Sequence, residues 1–426
     1  MEIAEIREKL STGGYNDRLA EVYGQGHVAE QSGRYLDIID EFEKRYPDNP
    51  GTGAALYSAP GRTEIGGNHT DHQQGSVLAG SVSLDAAACA APNNTDVVRI
   101  YSQGYPTLYV DLNDLKPDKR EYNTTSALIR GVAAGFIDKC YPVQGFDAVI
   151  YSTVLGGSGL SSSAAFEVLI GVIINDLFCE GKESPESIAK IGQDAENKFF
   201  GKPCGLMDQM ASSVGGIIGI DFEDPKEPKI RKIHFDLPNA GYELCIIDSH
   251  SGHADLTDQY ASIPEEMKEV AGYFGKSHLK EVPEAAFWES ITVLRKQFGD
   301  RAVLRAAHFF NETKRAELEA DALENGEFEY FLKLVQDSGN SSAQFLQNVV
   351  PEGSVKDQSI NIVLALCDRL LGDRGACRVH GGGFAGTVQA FVPDTMVEKF
   401  RKGIDSVLGE GSCHVLTIRQ QGGIVL

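Results

Sequence analysis

An α/β protein of two closely packed domains is what this sequence predicts, on three observations. The chain has 426 residues, more than one hydrophobic core usually supports. Short β-like runs alternate with helical stretches along its length. Its C-terminal end, from "ACRVHGGGFAGTVQAFVP" to "HVLTIRQ", reads as a β-α-β type module. Neither an internal repeat nor a low-complexity linker interrupts the pattern, so the domains are expected to abut.

In chain order, residues 3–46 read as helix, with apolar positions at Ile3, Ile6 and Leu10 and later at Tyr35, Ile38, Ile39 and Phe42. "YPDNPGTG" breaks it. The stretch "YSAPGRTEIGGNHTDHQQGSVLAG", 57–80, follows. It crowds an arginine, carboxylates, an amide and histidines among glycines, which is too polar for a core and too glycine-rich for a helix. β-like runs come next, "SVLAGSVSLDAAACAA", "DVVRIYSQG" and "TLYVDL", then a helix at 124–139. "FDAVIYSTV" is β-rich, "AFEVLIGVIINDLFC" is a strongly apolar helix, and 186–199 is helical again. "GGIIGIDF" and "YELCIIDS" read as buried strands on either side of the "EDPKEP" loop, where the domain change is expected: 1–235 and then 236–426. Residues 258–350 read as mostly helical.

Apolar residues make up 42% of the chain, enough for a packed interior and too many for global disorder. The formal net charge of −22 disfavours nucleic acid and anionic membranes as partners. A phosphate-bearing ligand stays possible, because backbone N–H groups bind phosphate even in an acidic protein. The eight cysteines are scattered without a C-x-x-C pair. Cys89, Cys204, Cys245, Cys367 and Cys377 sit among small or apolar residues, as buried thiols of a reducing, cytoplasmic compartment do. The ten histidines form no metal-binding pattern. No apolar run reaches about 18 residues, and "MEIAEIREKL" is too acidic for a signal peptide.

Three glycine-rich loops carry the chemistry. "LGGSGLSSSAA", 155–165, follows a strand and opens a helix. Glycines let a backbone approach a ligand closely, and the free N–H groups of a first helical turn attract anions. This has the logic of a phosphate cradle, although a flexible turn with a serine cap would read the same way. No G-K-[ST] follows, so it is not a P-loop, and Leu160 displaces the last glycine of a G-x-S-x-G elbow. "VHGGGFAGTVQAFV", 379–392, marks a close backbone approach or a plain hairpin. "DAENKFFGKPCGLMDQ", 194–209, carries Glu196 and Asp208. Taken alone, these two read as a surface acid and a helix cap.

Together these segments resemble galactokinases, in the superfamily named for galactokinase, homoserine kinase, mevalonate kinase and phosphomevalonate kinase. "APGRTEIGGNHTDHQQGSVL" looks like the family signature A-P-G-R-V-N-L-I-G-E-H-T-D-Y-N-x-G, and "LGGSGLSSSAAFEV", "FGKPCGLMDQMAS" and "RVHGGGFAGTV" resemble the other motifs, in order, over residues 45–395. The resemblance implies a mixed-sheet N-terminal domain, a ferredoxin-like C-terminal domain and an active site in the cleft between them. It implies an ATP- and Mg²⁺-dependent sugar 1-kinase, with D-galactose as first substrate. Gly156, Gly157, Ser158, Gly159, Leu160, Ser161, Ser162 and Ser163 would cradle the ATP phosphates, and Ser163 with Glu196 would hold Mg²⁺. Asp208 and Arg62 would be catalytic, with Asp208 facing the anomeric hydroxyl as base or as orienting group. Asn68, His69, Asp71, Gly205 and Tyr260 would bind sugar, while Gly382 and Gly383 would close the site.

The chain departs from the family pattern at several positions. Asn68 stands where the signature has a carboxylate, which in galactokinases is associated with the hydroxymethyl end of the sugar. His72 replaces the signature's tyrosine, Ala385 stands where a glycine is usual, and acidic residues replace a basic pair near Tyr260. Related sugars are therefore the runner-up substrates: an N-acetylhexosamine, L-arabinose or galacturonate. A non-catalytic sugar sensor would be expected to lose loop residues that this chain keeps. A plain structural protein would leave the loops unexplained. Sugar and ATP are the expected partners of a monomer or weak homodimer, and the extra N-terminal helical segment would pack on the body or mediate association.

Overall fold

The computed structural model describes residues 1–154, 159–252 and 256–426. Three helices open the chain, α1 (Ile3–Ser11), α2 (Asn16–Tyr23) and α3 (Val28–Arg45). Their periodic positions Ile6, Leu10, Leu19, Ile38, Ile39 and Phe42 are buried against Leu56, Ala87, Cys89 and Val149 of the first sheet. The extra helical segment thus packs on the body.

The large sheet combines β1 (Ala55–Gly66), β2 (Ser76–Pro92), β3 (Val97–Ser102) and β4 (Leu108–Asp111) with later strands, eight in all among the described residues. After α4 (Thr125–Asp138) come β5 (Phe146–Ser152), α5 (Ser162–Cys179), α6 (Pro185–Ala195), α7 (Met207–Val214), β6 (Ile217–Asp221) and β7 (Lys229–Ile233). β3 and β5 pair in parallel while the other ladders are antiparallel, so the sheet is mixed. Helices α4–α6 cover its inner face: Ile129, Phe136, Val168, Leu169 and Ile173 pack on Tyr57, Ala88, Phe146 and Ile150. α5 has the length and apolarity of a membrane span, and 67% of it lies inside the fold.

The first part of the polar stretch expected outside any core is the strand β1, and Arg62, Thr63 and Glu64, with Asn68 in the turn after it, are buried. That expectation failed because the partners of these side chains lie more than 300 residues away in part. Glu64 forms an ion pair with Arg378, and Thr63 Oγ1 lies 3.0 Å from His380 Nε2. Buried polar groups are tolerated when paired in this way. The "KIRKI" run, unassigned in the sequence, forms β7 because it completes a hairpin with β6.

The second sheet starts at β8 (Tyr242–Asp248). A helical region follows, as expected for 258–350: α8 (Thr257–Tyr273), α9 (Glu284–Glu289), α10 (Ile291–Glu324) and α11 (Phe328–Ser341), with α12 (Ser359–Leu371) beyond the expected range. Then come β9 (Ala376–Val379), β10 (Thr387–Pro393), α13 (Val397–Leu408) and β11 (Cys413–Leu416). The strand order β11-β8-β10-β9, antiparallel throughout, is the ferredoxin-like arrangement. The three-glycine loop joins β9 and β10 as a hairpin. The chain end then serves both sheets: β11 pairs with β8, Ile418 bridges to Val82, and β12 (Ile424–Val425) pairs with β1.

The cysteines are free thiols, most of them buried, but Cys140 is exposed and Cys204 is only partly covered. Cys204 departs from the expectation of a buried thiol because its turn borders the cleft described next.

Candidate active site

β1 carries Arg62 just after a register shift at Pro60/Arg62, and β-bulges of this kind re-aim side chains. The Arg62 guanidinium grips Asp208 as a two-pronged fork, Nε to Oδ1 and Nη2 to Oδ2, each 2.7 Å. Nη1 donates to the Gly159 carbonyl, and the Arg62 amide donates to the Leu160 carbonyl at 3.0 Å. β1 can approach that loop because a Cβ at Gly61 would stand only 3.0 Å from the Leu160 oxygen. Asp208 lies in the first turn of α7. Burial pushes its carboxyl up, but the Arg62 charge and fork, helped by Ser161 and Lys202, outweigh that and hold it below its ordinary value. Asp208 is therefore ionised at neutral pH.

Ser161 adopts the left-handed conformation, φ 54, at the start of α5, and Ser162 and Ser163 form its first turn. Leu160 is buried in the core, so only its backbone faces the loop. Gly156, Gly157 and Ser158 lie outside the described residues. Ser163 Oγ donates to Glu196 Oε1 at 3.3 Å. Glu196 was expected on a regular helix. It opens a π-helical turn, Glu196–Phe200, a form found often at functional sites. Gln209 Nε2 ties its other oxygen to a second buried acid, at 2.8 Å from Glu196 Oε2 and 2.9 Å from Glu167 Oε2. Burial, then the neighbouring Glu196 charge, pushes the Glu167 carboxyl well above its ordinary value. The serine hydroxyl and glutamate carboxylate form a pair of hard oxygens at a helix N-terminus, which suits Mg²⁺, an ion that takes few protein ligands.

The sugar-loop candidates divide into two groups. Asp71 faces the Asp208 turn: a Cβ on Gly205 would lie 2.1 Å from its Oδ2. Burial pushes the Asp71 carboxyl up to about 6, the His72 amide opposes this, and the charges of Glu64 and Asp208 add to it. The other three hold the glycine loop. Asn68 Nδ2 donates to the Gly381 carbonyl at 2.6 Å, His69 Nε2 meets the Gly382 carbonyl at 3.0 Å, and the Tyr260 hydroxyl donates to the Gly383 carbonyl at 2.8 Å. Asn68 uses all its hydrogen-bonding positions inside the protein: Nδ2 also donates to Glu64, and Oδ1 accepts from Ser342 and Asn348.

His380 joins this loop to the phosphate loop. Its Nε2 accepts from the Glu64 amide at 3.3 Å, so Nδ1 carries the proton toward Thr387 Oγ1 at 2.9 Å. Burial, then the charges of Arg62 and Arg378, drives it well below its ordinary value, so it stays neutral. A Cβ at Gly159 would stand 3.0 Å from Nδ1. Segments around 62, 71, 163, 196, 208 and 382 therefore meet in one place. The sequence alone did not single out Glu167, Lys202, Gln209 or His380, although all four lie inside or next to the motifs that carry the neighbouring residues.

Comparisons with known proteins agree with this geometry. Residues 40–92 match the galactokinase galactose-binding signature, and residues 127–216 match the GHMP kinases N terminal domain. The galactokinase of Actinobacillus pleuropneumoniae serotype 3 (strain JL03) is 32% identical over 352 residues, covering 81% of this chain and 86% of that one. The galactokinase of Glaesserella parasuis serovar 5 is 31% identical over 354 residues, with the same coverage, 81% and 86%. In fold, the chain matches Lactococcus lactis galactokinase, solved in complex with galactose, with a TM-score of 0.77 at 23% identity over 91% of this chain and 99% of that one. Methanococcus jannaschii mevalonate kinase follows at a TM-score of 0.60 and 16% identity, covering 85% of this chain and 98% of that one.

Proposed function

The chain belongs to the galactokinase family, and from that premise we propose that it transfers the γ-phosphoryl group of ATP to the anomeric hydroxyl of D-galactose. The observation that carries this is the Arg62–Asp208 fork beside the Ser163–Glu196 pair, at the N-terminus of α5. Phosphoryl transfer requires positioning and charge neutralisation more than covalent help. The N-terminus of α5 and its serines bind the phosphates. Asp208, held ionised by Arg62, accepts the hydrogen bond of the anomeric hydroxyl and fixes that oxygen as nucleophile. Ser163 and Glu196 would hold Mg²⁺, which when bound neutralises phosphate charge. Asp71 accepts hydrogen bonds from sugar hydroxyls, as an ionised carboxylate can on both oxygens.

One observation favours a second substrate. Asn68 has no hydrogen-bonding position left for a sugar, so L-arabinose, which lacks the hydroxymethyl carbon, is the next choice. The test couples ADP release to a panel of galactose, glucose, N-acetylgalactosamine, L-arabinose and galacturonate, and locates the phosphate by ³¹P NMR. Galactose is expected to turn over fastest and to give the 1-phosphate. Rapid turnover of another sugar beside idle galactose would replace the substrate, and no turnover of any sugar would end the kinase reading.

Two further outcomes follow for Asp71. Burial pushes its carboxyl up to about 6, and only the ionised form accepts from sugar hydroxyls on both oxygens. kcat/KM for the sugar is therefore expected to fall as pH drops through about 6, by roughly tenfold per unit, and Asp71→Asn should flatten that limb while lowering the plateau. Gly205→Ala places a methyl 2.1 Å from Asp71 Oδ2. The carboxylate can swing aside, so the fold should survive while KM for the sugar rises about 10- to 100-fold; steady-state kinetics and a thermal melt read the two effects separately.

A further inference from the structure

Lys202 lies in the turn between the π-helical segment and α7. Its Nζ stands 3.4 Å from Glu196 Oε1, the same oxygen that accepts from Ser163. The two partners differ in exposure: the Lys202 side chain is 63% exposed and that of Glu196 is 3% exposed. Arg62, by contrast, is buried and pinned at three nitrogens, two on Asp208 and one on the Gly159 carbonyl. Among the described residues, the cleft thus sets a fixed cation, Arg62, beside Lys202, whose charge rides on a flexible, solvated stem.

We propose that Lys202 is a cationic contact for the phosphates of the bound nucleotide, resting on Glu196 until the metal–nucleotide complex displaces it. This rests on the reading of Ser163 and Glu196 as the metal-holding pair. A divalent ion and an ammonium group cannot both sit on one carboxylate oxygen without strong repulsion at short range. The ion has the higher charge and needs that oxygen, so the ammonium moves. The Lys202 amide donates to the Glu196 carbonyl at 3.2 Å, which keeps the root of its four-carbon stem beside the Ser163–Glu196 pair at the N-terminus of α5. The new negative charge that arrives there is the polyphosphate. Lys202 then neutralises charge that Arg62, committed to Asp208, leaves uncovered.

The test uses the full chain with Lys202→Met, Lys202→Gln and Lys202→Arg. Mn²⁺ binding without nucleotide is read by electron paramagnetic resonance, and ATP binding with Mn²⁺ by calorimetry; neither needs a sugar. Removing the competing ammonium should tighten Mn²⁺ alone by about 3- to 10-fold, while ATP with Mn²⁺ binds several-fold more weakly. kcat should fall roughly 10- to 100-fold with the sugar KM unchanged, and Lys202→Arg should recover most of it. Unchanged Mn²⁺ and ATP affinities in both neutral variants would overturn the proposal, as would an activity loss that Lys202→Arg fails to rescue. A wild-type chain that binds Mn²⁺ and ATP but phosphorylates no sugar would defeat the substrate reading alone, and the two binding measurements would still decide the role of Lys202.

Discussion

Asp208→Asn should reduce kcat by at least about 1,000-fold while ATP affinity stays within a few-fold of wild type. The substitution keeps size and shape, so it isolates charge. The wild-type carboxylate is half-buried but ionised, because the Arg62 fork outweighs the cost of desolvation. An amide at that place accepts one hydrogen bond from Arg62 instead of two and cannot draw a proton from a sugar hydroxyl. Ser163, proposed to contact the nucleotide and metal, bonds to Glu196 rather than to Asp208, hence the expected separation of kcat from ATP binding. Calorimetry with ATP and steady-state kinetics with galactose make the comparison. A variant retaining more than a tenth of wild-type kcat would show that Asp208 neither orients nor deprotonates the acceptor.

The companion substitution Arg62→Met would expose the same charge from the other side. Without the guanidinium, burial dominates and the Asp208 carboxyl rises. Activity should then be lost at neutral pH.

How much of this was legible beforehand differs from residue to residue. Helices α3–α6 could be read because their signal is local: Ile38, Ile39 and Phe42 recur at helical spacing and are buried as that spacing demands, whereas the breaks that divide 3–46 into α1, α2 and α3 were not read. The glycine loops were legible as loops because glycine is itself a local signal: a Cβ at Gly383 would stand 2.2 Å from the Asn348 carbonyl oxygen. β1 was not legible. Its Thr63 and Glu64, with Asn68 just beyond it, look like solvent-facing polarity until Asn348, Arg378, His380 and Gly381 arrive from the C-terminal part of the chain. Long-range pairing of that kind leaves no trace in a single sequence. The same holds for Asn68, His69 and Tyr260. The family resemblance implies sugar contacts for them, whereas only the folded chain reveals that each meets a successive carbonyl of the 381–383 loop. Lys202 sits inside a quoted motif, yet nothing in its neighbours announces that it faces Glu196.

Asp85→Ala is expected to destabilise the protein by about 3–5 kcal/mol at pH 7, the cost of leaving buried charges without their partner. Asp85 is fully buried on β2. Its Oδ1 accepts from Arg34 at 2.6 Å, and its Oδ2 accepts from Tyr23 at 2.6 Å, from Ser58, and from Arg419 at 3.3 Å. One carboxylate therefore joins the N-terminal helices, β1, β2 and the returning C-terminal tail. Its removal strands the guanidiniums of Arg419, fully buried, and Arg34, 13% exposed. Burial alone would raise the Asp85 carboxyl, but the two arginines overcome it and hold it below its ordinary value. A depressed carboxylate stabilises the fold above its unfolded pKa, about 3.9, and loses that contribution as pH falls through the folded value. The gap between wild type and variant should thus stay level from pH 8 to about 5 and close only below about 4. Urea unfolding followed by circular dichroism at several pH values measures it. Limited proteolysis should find both chain ends cut sooner in the variant, because the helices and the tail lose the same anchor. A loss under about 1 kcal/mol would mean that the arginines find other partners, and that the two termini are held by apolar packing alone.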